Sequence, residues 1–199
     1  MKAIILIAVA VVAVAVLAQQ KPEIAPGTPQ FTDKNELAIP TDYREWIFLS
    51  SGLGMTYGPI SETNQSASPM FDNVFVAPAA YRAFLATGKW PEQTMFVLEA
   101  RSSISKGSIN NGGHYQSERM GFEIEVKDSK RFPGNGWAFF QPSGKTAKMI
   151  PRSATCYTCH PDKGAVDNTF VQFYPTLLPV AKEKGTLTAA FLAASADGR

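Results

Sequence analysis

The two cysteines of this 199-residue chain lie three positions apart, at Cys156 and Cys159, and a histidine follows directly at His160. This C-x-x-C-H spacing is the signature of c-type haem attachment. Each thiol adds to one vinyl group of a single porphyrin, and the histidine becomes the proximal ligand of the iron. The segment therefore predicts one covalent haem c, held by Cys156 and Cys159, with His160 as the iron ligand.

Other uses of a C-x-x-C pair suit this sequence less well. A thioredoxin-like redox motif needs a βαβ context, and no such alternation precedes Cys156. A zinc site needs four ligands, whereas the only other histidine, His114, lies far upstream in a glycine-rich stretch. A disulfide between the two cysteines would leave His160 without a role.

The N-terminus is organised like a secretory signal peptide. Lys2 supplies a basic start, residues 3–17 are almost entirely Ala, Val, Ile and Leu, and small residues precede Gln19. This apolar stretch is short for a bilayer span, and no basic stop-transfer cluster follows it. We expect residues 1–18 to be a signal peptide that directs the chain to a bacterial periplasm, with no membrane span after its removal.

Composition limits the remaining possibilities. The formal net charge is +2 and no run of lysines or arginines occurs, so nothing indicates nucleic-acid binding. Residues 19–35 hold three prolines and read as an extended lead-in. The remainder is long enough for one domain with a proper core, which we place at residues 36–195 as a single haem c-binding domain.

Hydrophobic patterns predict an α+β fold, a mostly antiparallel β-sheet with a few flanking helices. Predicted strands cover residues 46–49, 74–76, 94–100, 120–126 and 137–140. Predicted helices comprise a short one near Pro40, one over residues 78–88 that Gly88 ends, and one over about residues 177–192. Residues 50–70 read as a long loop, and residues 102–117 as a loop or hairpin tip.

The sixth position of the iron decides what a haem protein does. No methionine follows Met149, so the stretch after His160 lacks the ligand that class I electron carriers use. Methionines in strands are more often core residues, and His114 lies in a predicted loop. The sequence favours an open or weakly occupied sixth position, with a distal lysine or histidine still open.

The order and spacing of several segments resemble the cytochrome P-460 family, from about residue 36 to residue 178. These segments are Tyr43-Arg44-Glu45-Trp46, Val74-Phe75-Val76 ahead of Pro78 and Tyr81, Thr87-Gly88, residues 126–132, Gly136-Trp137-Ala138-Phe139, and Cys156 to His160 followed by Asp167, Phe170 and Gln172-Phe173-Tyr174-Pro175. The resemblance implies a mostly β monohaem fold that dimerises and carries a five-coordinate haem c.

The two branches of that family imply different chemistry. One carries a lysine cross-linked to the haem and oxidises hydroxylamine to nitrogen oxides. The cytochrome c′-beta branch lacks the cross-link and resembles a binder of nitric oxide and carbon monoxide. The position of that lysine aligns with Leu98, and the nearest lysines are Lys89 and Lys106. The resemblance therefore favours the c′-beta branch.

This alignment also suggests what surrounds the distal side. Leu98 beside Phe96 would form an apolar wall, and Phe75 and Phe48 are further candidate caps, although each suits a plain sheet core equally. Such a pocket offers no hydrogen bond to dioxygen but accepts neutral nitric oxide and carbon monoxide. Asp167 falls where the family places a distal carboxylate and could accept protons in hydroxylamine oxidation, or simply be a cap or turn residue.

Three functions follow from the sequence. The first is a periplasmic, dimeric, five-coordinate haem protein that binds nitric oxide or carbon monoxide. The second is an enzyme that oxidises hydroxylamine to nitric or nitrous oxide, with a soluble cytochrome as possible redox partner. The third is a six-coordinate electron carrier, which a methionine or histidine on the iron would indicate.

Overall fold

The computed structural model describes residues 24–56 and 68–196. The expected signal peptide, residues 1–18, lies outside these ranges, as does the start of the lead-in. The described residues form a seven-stranded antiparallel sheet with flanking helices, which confirms the predicted α+β fold. Within them, no helix has both the length and the apolar character needed to cross a membrane.

The strands follow the order β1-β7-β6-β5-β4-β3-β2 across the sheet. Their bounds are Leu37–Ala38 for β1, Ile47–Leu53 for β2, Phe71–Val76 for β3, Met95–Ile104 for β4, Tyr115–Lys127 for β5, Trp137–Ser143 for β6 and Thr146–Met149 for β7. All five predicted strands occur, as β2 to β6, and each is longer than predicted. The patterns do not predict β1 and β7, because such short strands carry too little periodicity.

The α-helices flank the sheet. They are α1 Pro78–Thr87, α2 Cys156–Lys163, α3 Leu178–Lys184 and α4 Ala189–Ala196, with 3-10 turns at Tyr43–Glu45 and Val171–Phe173. Helix α1 confirms the prediction and ends at Gly88, where φ is 70° and a Cβ would lie only 2.7 Å from the Cβ of Lys184. The helix expected near Pro40 is only a 3-10 turn. The final helix is not continuous, because Gly185 (φ 64°) ends α3 before α4 begins.

One face of the sheet carries the haem motif. Val76, Phe96, Glu125 and Phe139 are cross-strand neighbours on β3 to β6, so their side chains share this face. The ring of His160, on α2, packs against Phe139 there, with ring centroids 4.5 Å apart. We call this surface the His160 face.

The opposite surface carries the alternate residues of the same strands. Phe75, Val97, Ile124 and Phe140 are its cross-strand neighbours, and Glu99 lies two residues beyond Val97 on β4. We call this surface the Glu99 face. The two faces therefore differ by a single residue step along each strand, and a shift of one residue exchanges them.

Aromatic side chains fill the core on both surfaces. On the Glu99 face, Phe31 of the N-terminal segment packs against Phe140, with ring centroids 6.0 Å apart. On the His160 face, Phe96 packs against Trp90 at 4.8 Å and Trp137 at 6.1 Å. The N-terminal segment therefore packs on the Glu99 face, whereas Trp90, which follows α1, and the C-terminal Tyr174 pack on the His160 face.

Candidate haem site

Helix α2 presents both cysteines beside the sheet. Because residues three positions apart lie on the same side of a helix, Cys156 and Cys159 face the same direction. Both are free thiols and half-buried. Burial raises the pKa of the Cys156 thiol, and the charges of Glu123 and Glu125 add to this effect. This arrangement fits two thiols that would attach to one porphyrin edge.

The ring of His160 is held on both sides by aromatic rings. Its centroid lies 4.5 Å from that of Phe139 and 4.4 Å from that of Phe170. Its Nδ1 lies 2.8 Å from the backbone carbonyl oxygen of Asn168. A carbonyl oxygen only accepts hydrogen bonds, so Nδ1 carries the hydrogen and Nε2 is left with a lone pair for a metal. The tautomer therefore fits an iron ligand.

A strained turn supplies that carbonyl group. Asp167 and Asn168 have φ values of 47° and 61°, and they connect the bridged residues Val166 and Thr169. Two successive residues with positive φ are typical of a tight hairpin turn, and Asp and Asn are the residues that tolerate it best. The turn thus fixes where the Asn168 oxygen meets His160.

Asp167 lies in this turn with its carboxylate already engaged. Lys127 donates a hydrogen bond to it at 2.5 Å, and Trp137 donates from Nε1 at 3.4 Å. The turn contacts the Nδ1 edge of His160, opposite the Nε2 edge where iron would bind. Asp167 is therefore a turn residue, one of the two interpretations that the sequence left open, and its expected role as a distal carboxylate stays a prediction.

A second carboxylate faces His160 from the sheet. Oε1 of Glu125 lies 3.3 Å from Nδ1. Within the described residues, this oxygen is buried and makes no hydrogen bond. Burial alone would lower the pKa of His160, but the nearby negative charge of Glu125 and the hydrogen bond to the Asn168 carbonyl outweigh burial, so the pKa is raised.

The neighbouring rows of the His160 face are mixed rather than apolar. Leu98 is half-buried and lies between Val74 and Glu123, and Asp72 lies in the next row. Desolvation raises the pKa of the carboxyl groups of Asp72 and Glu123. For Glu123, the charge of His160 partly offsets desolvation, and the charge of Asp72 raises the pKa further. The apolar wall expected at Leu98 is therefore flanked by two acids.

Sequence reasoning missed these acids, although one signal was present. The alternation over residues 120–126 places Glu123 and Glu125 on one side of the strand. That side would ordinarily be assigned to solvent, because glutamate is rarely buried. Glu123 does remain exposed, whereas Glu125 becomes largely buried because α2 packs over the strand and brings His160 beside it.

The aromatic residues proposed as distal caps lie elsewhere. Phe96 does share the His160 face, but it is 3% exposed and enclosed in the core by rings such as Trp90. Phe75 lies on the Glu99 face, packed against Tyr43 and Phe48 with ring centroids 5.6 Å away in each case. Because a sheet separates Phe75 and Phe48 from Leu98, these two rings do not cap the same site.

Potential sixth ligands in the described residues also lie away from His160. His114 is exposed near the tip of the β4–β5 hairpin, with Nδ1 3.3 Å from Oγ of Ser103. Met95 and Met149 pair with residues of the Glu99 face, and Met70 and Met120 are exposed.

Met55 is the methionine that comes nearest to the required surface. It packs against Gly52 of β2, which is paired with Asp72 on the His160 face. However, β2 lies three strand spacings from β5, or roughly 14 Å. Met55 therefore lies over the opposite edge of the sheet from β6, whose Phe139 contacts the His160 ring.

Comparison with known proteins agrees with this site. The family model described as cytochrome P-460 matches residues 40–171, well over half of the chain. The matched range includes the haem motif, the Asp167–Asn168 turn and strands β2 to β7. A comparison with curated proteins gave no match.

Proposed function

Since the chain belongs to the cytochrome P-460 family, we propose that it is a periplasmic c-type monohaem protein that binds nitric oxide or carbon monoxide at an open sixth position. One observation carries the proposal. Nδ1 of His160 faces the Asn168 carbonyl oxygen, which leaves Nε2 for the iron, and the described methionines and His114 lie on the Glu99 face, on the exposed surface or at the far edge of the sheet. Export and a homodimer are part of the proposal, supported by the N-terminal pattern and the family resemblance.

The chain's own residues would prepare the haem for this task. Cys156 and Cys159 would hold the porphyrin, Phe139 and Phe170 keep the His160 ring in one orientation, and the turn fixes its tautomer. When bound, the haem iron supplies the centre that binds small ligands and exchanges an electron. These residues would thus determine the proximal ligand and its orientation.

The acids beside Leu98 are compatible with binding a neutral ligand. Ionised Glu123 and Asp72 accept hydrogen bonds but donate none. Bound dioxygen carries partial negative charge and gains from a donor, so it obtains no help from them. Nitric oxide and carbon monoxide need no donor, and the surface therefore discriminates in their favour while these carboxyl groups are ionised.

The same acids favour a second candidate function, the oxidation of hydroxylamine to nitric or nitrous oxide. This oxidation releases protons, and a positioned carboxylate with a raised pKa is a suitable acceptor. Glu123 joins Asp167 as a candidate for that role, because it has a raised pKa and lies within electrostatic reach of His160. The electrons would pass to a soluble cytochrome.

Absorption spectra of the purified, reduced protein test these candidates. We expect a high-spin c-haem spectrum that changes on addition of nitric oxide or carbon monoxide, and no turnover of hydroxylamine with an oxidised soluble cytochrome. A strongly red-shifted Soret band with hydroxylamine turnover would establish the enzyme instead. A low-spin spectrum that carbon monoxide leaves unchanged would establish a six-coordinate electron carrier. The matched control is the Cys156→Ser, Cys159→Ser double variant, which should carry no covalent haem.

A further inference from the structure

Glu125 is placed by the sheet so that it meets the proximal histidine. It lies on β5 between Phe96 and Phe139, and the strand pleat turns its side chain to the His160 face. Its side chain is 13% exposed and that of His160 is 18% exposed. The contact is therefore largely shielded from water, where a charge acts more strongly than it does at the surface.

One ring nitrogen of His160 meets two acceptors. The single hydrogen on Nδ1 is taken by the Asn168 carbonyl at 2.8 Å. Oε1 of Glu125 is 3.3 Å from the same nitrogen and, among the described residues, has no hydrogen bond of its own. A buried carboxylate oxygen without a hydrogen bond is destabilising. Packing alone therefore does not explain why a carboxylate lies beside Nδ1 of His160.

We propose that Glu125 is a positioning residue for the proximal histidine, which increases electron donation from His160 to the haem iron and so lowers the reduction potential of the iron. A carboxylate that faces the N–H of a metal-bound imidazole orients the ring and makes it a stronger donor. A stronger axial donor stabilises ferric iron over ferrous iron. The inference rests on the haem attachment in the proposed function and not on which small ligand the haem binds.

Glu123 provides a matched control for charge alone. It lies on the same strand and face, two residues away, and it also interacts electrostatically with His160. No described hydrogen bond or ion pair joins it to Nδ1, in contrast to Glu125 at 3.3 Å. A general effect of negative charge would appear in variants of both residues, whereas an effect through the ring would appear only at Glu125.

The experiment compares the haem-loaded wild type with Glu125→Gln and Glu123→Gln. We expect Glu125→Gln to favour the ferrous state about tenfold, which corresponds to about 59 mV for a one-electron couple. The iron–histidine stretching frequency, measured by resonance Raman on the ferrous protein, should fall in the same variant. Glu123→Gln should shift the potential less and leave that frequency at the wild-type value.

Two outcomes would overturn the inference. One is a Glu125→Gln protein with wild-type potential and wild-type stretching frequency. The other is a Glu123→Gln protein that reproduces both changes. If Glu125→Gln fails to take up haem, Glu125→Asp keeps the charge but withdraws it from Nδ1. We expect this variant to show smaller changes in the same direction, and wild-type values in it would also overturn the inference.

Failure of this inference can be distinguished from failure of the proposed function. The mass of the intact wild-type protein shows whether a haem is covalently attached. A wild type without covalent haem would overturn both. A haem-loaded wild type that binds nitric oxide, with no effect of Glu125 on potential or frequency, would overturn only the role of Glu125.

Discussion

Two glutamates on opposite faces of the same sheet differ in how their buried carboxylate oxygens are hydrogen-bonded. Glu99 is fully buried and accepts hydrogen bonds from Tyr43, Arg44 and Arg101, with Asn73 donating a longer one. Burial alone would raise the pKa of Glu99, but the hydrogen bonds from Arg101, Tyr43 and Arg44 lower it to about 2. Glu125 instead keeps a buried oxygen without a hydrogen bond in the described structure.

This difference in hydrogen bonding distinguishes a structural network around Glu99 from a candidate cofactor site around His160. The Glu99 network is complete within the chain, because its donors come from the 3-10 turn before β2 and from β3 and β4. Fully satisfied buried networks rigidify a fold and need no further partner. The His160 face leaves Glu125 unsatisfied, two thiols free and Nε2 of His160 available. That face therefore has the unpaired groups expected where a cofactor binds.

The largest expected effect is on the haem spectrum, and it should distinguish the histidine of the haem motif from the histidine at the hairpin tip. We expect His160→Ala to lose the proximal ligand, and with it the wild-type ferrous spectrum and its response to carbon monoxide. His114→Ala should leave both unchanged, because His114 is exposed and outside the site. Absorption spectra of the two reduced variants, with and without carbon monoxide, test this. Equal losses in both would contradict the assignment of His160.

Removing the charge of Glu99 should have the largest effect on stability. In Glu99→Gln, the guanidinium groups of Arg44 and Arg101 lose their counter-ion. Because the Arg44 side chain is 56% exposed and that of Arg101 is 24% exposed, solvent screens part of the loss, and we expect about 2–3 kcal/mol. The matched control is Glu118→Gln on the exposed part of β5, expected within about 0.5 kcal/mol of wild type. Urea unfolding of both variants gives the free energies. Similar values for the two would show that the network is not structural.

The Glu99 network also predicts how stability depends on pH. The pKa of Glu99 is about 2 in the folded protein and 4.5 in the reference state. A depressed folded-state pKa contributes stability that is present above pH 4.5 and is lost as the pH falls towards 2. This corresponds to about 3 kcal/mol. Unfolding free energies of wild type and Glu99→Gln should therefore converge across this window, and parallel curves would contradict the assignment.

A smaller effect is expected at the turn behind His160. Asp167→Asn removes the ion pair with Lys127, whose side chain is 15% exposed, and should destabilise the protein by about 1 kcal/mol. Asparagine tolerates the positive φ of this position. Asp167→Ala should lose about 1 kcal/mol more, because alanine is strained there. Thermal and urea unfolding measure both, and an equal loss in the two variants would indicate that the turn carries no strain.

The helices and strands that could be predicted are those with a clear local sequence pattern. Alternating residues indicate β4 and β5, and Pro78 and Gly88 bound α1 by their backbone preferences. The break at Gly185 went unpredicted, because the apolar residues on both sides continue the helical pattern. The residue type also does not predict which face of the sheet a side chain joins. Phe75 and Phe96 are both phenylalanines, and only the strand register places them on opposite faces.

The sequence by itself was enough to predict the haem attachment at Cys156 and Cys159, the proximal ligand His160 and the fold class, because each prediction depends on residues close together in the chain. The tertiary structure alone decided which acids meet His160, since Glu125 is thirty-five positions away and reaches it only when α2 packs over β5. It also decided that the Asp167 carboxylate contacts Lys127 and Trp137 in the turn beside Nδ1. Spacing specifies covalent chemistry, whereas burial and charge around the iron ligand arise from contacts between distant segments.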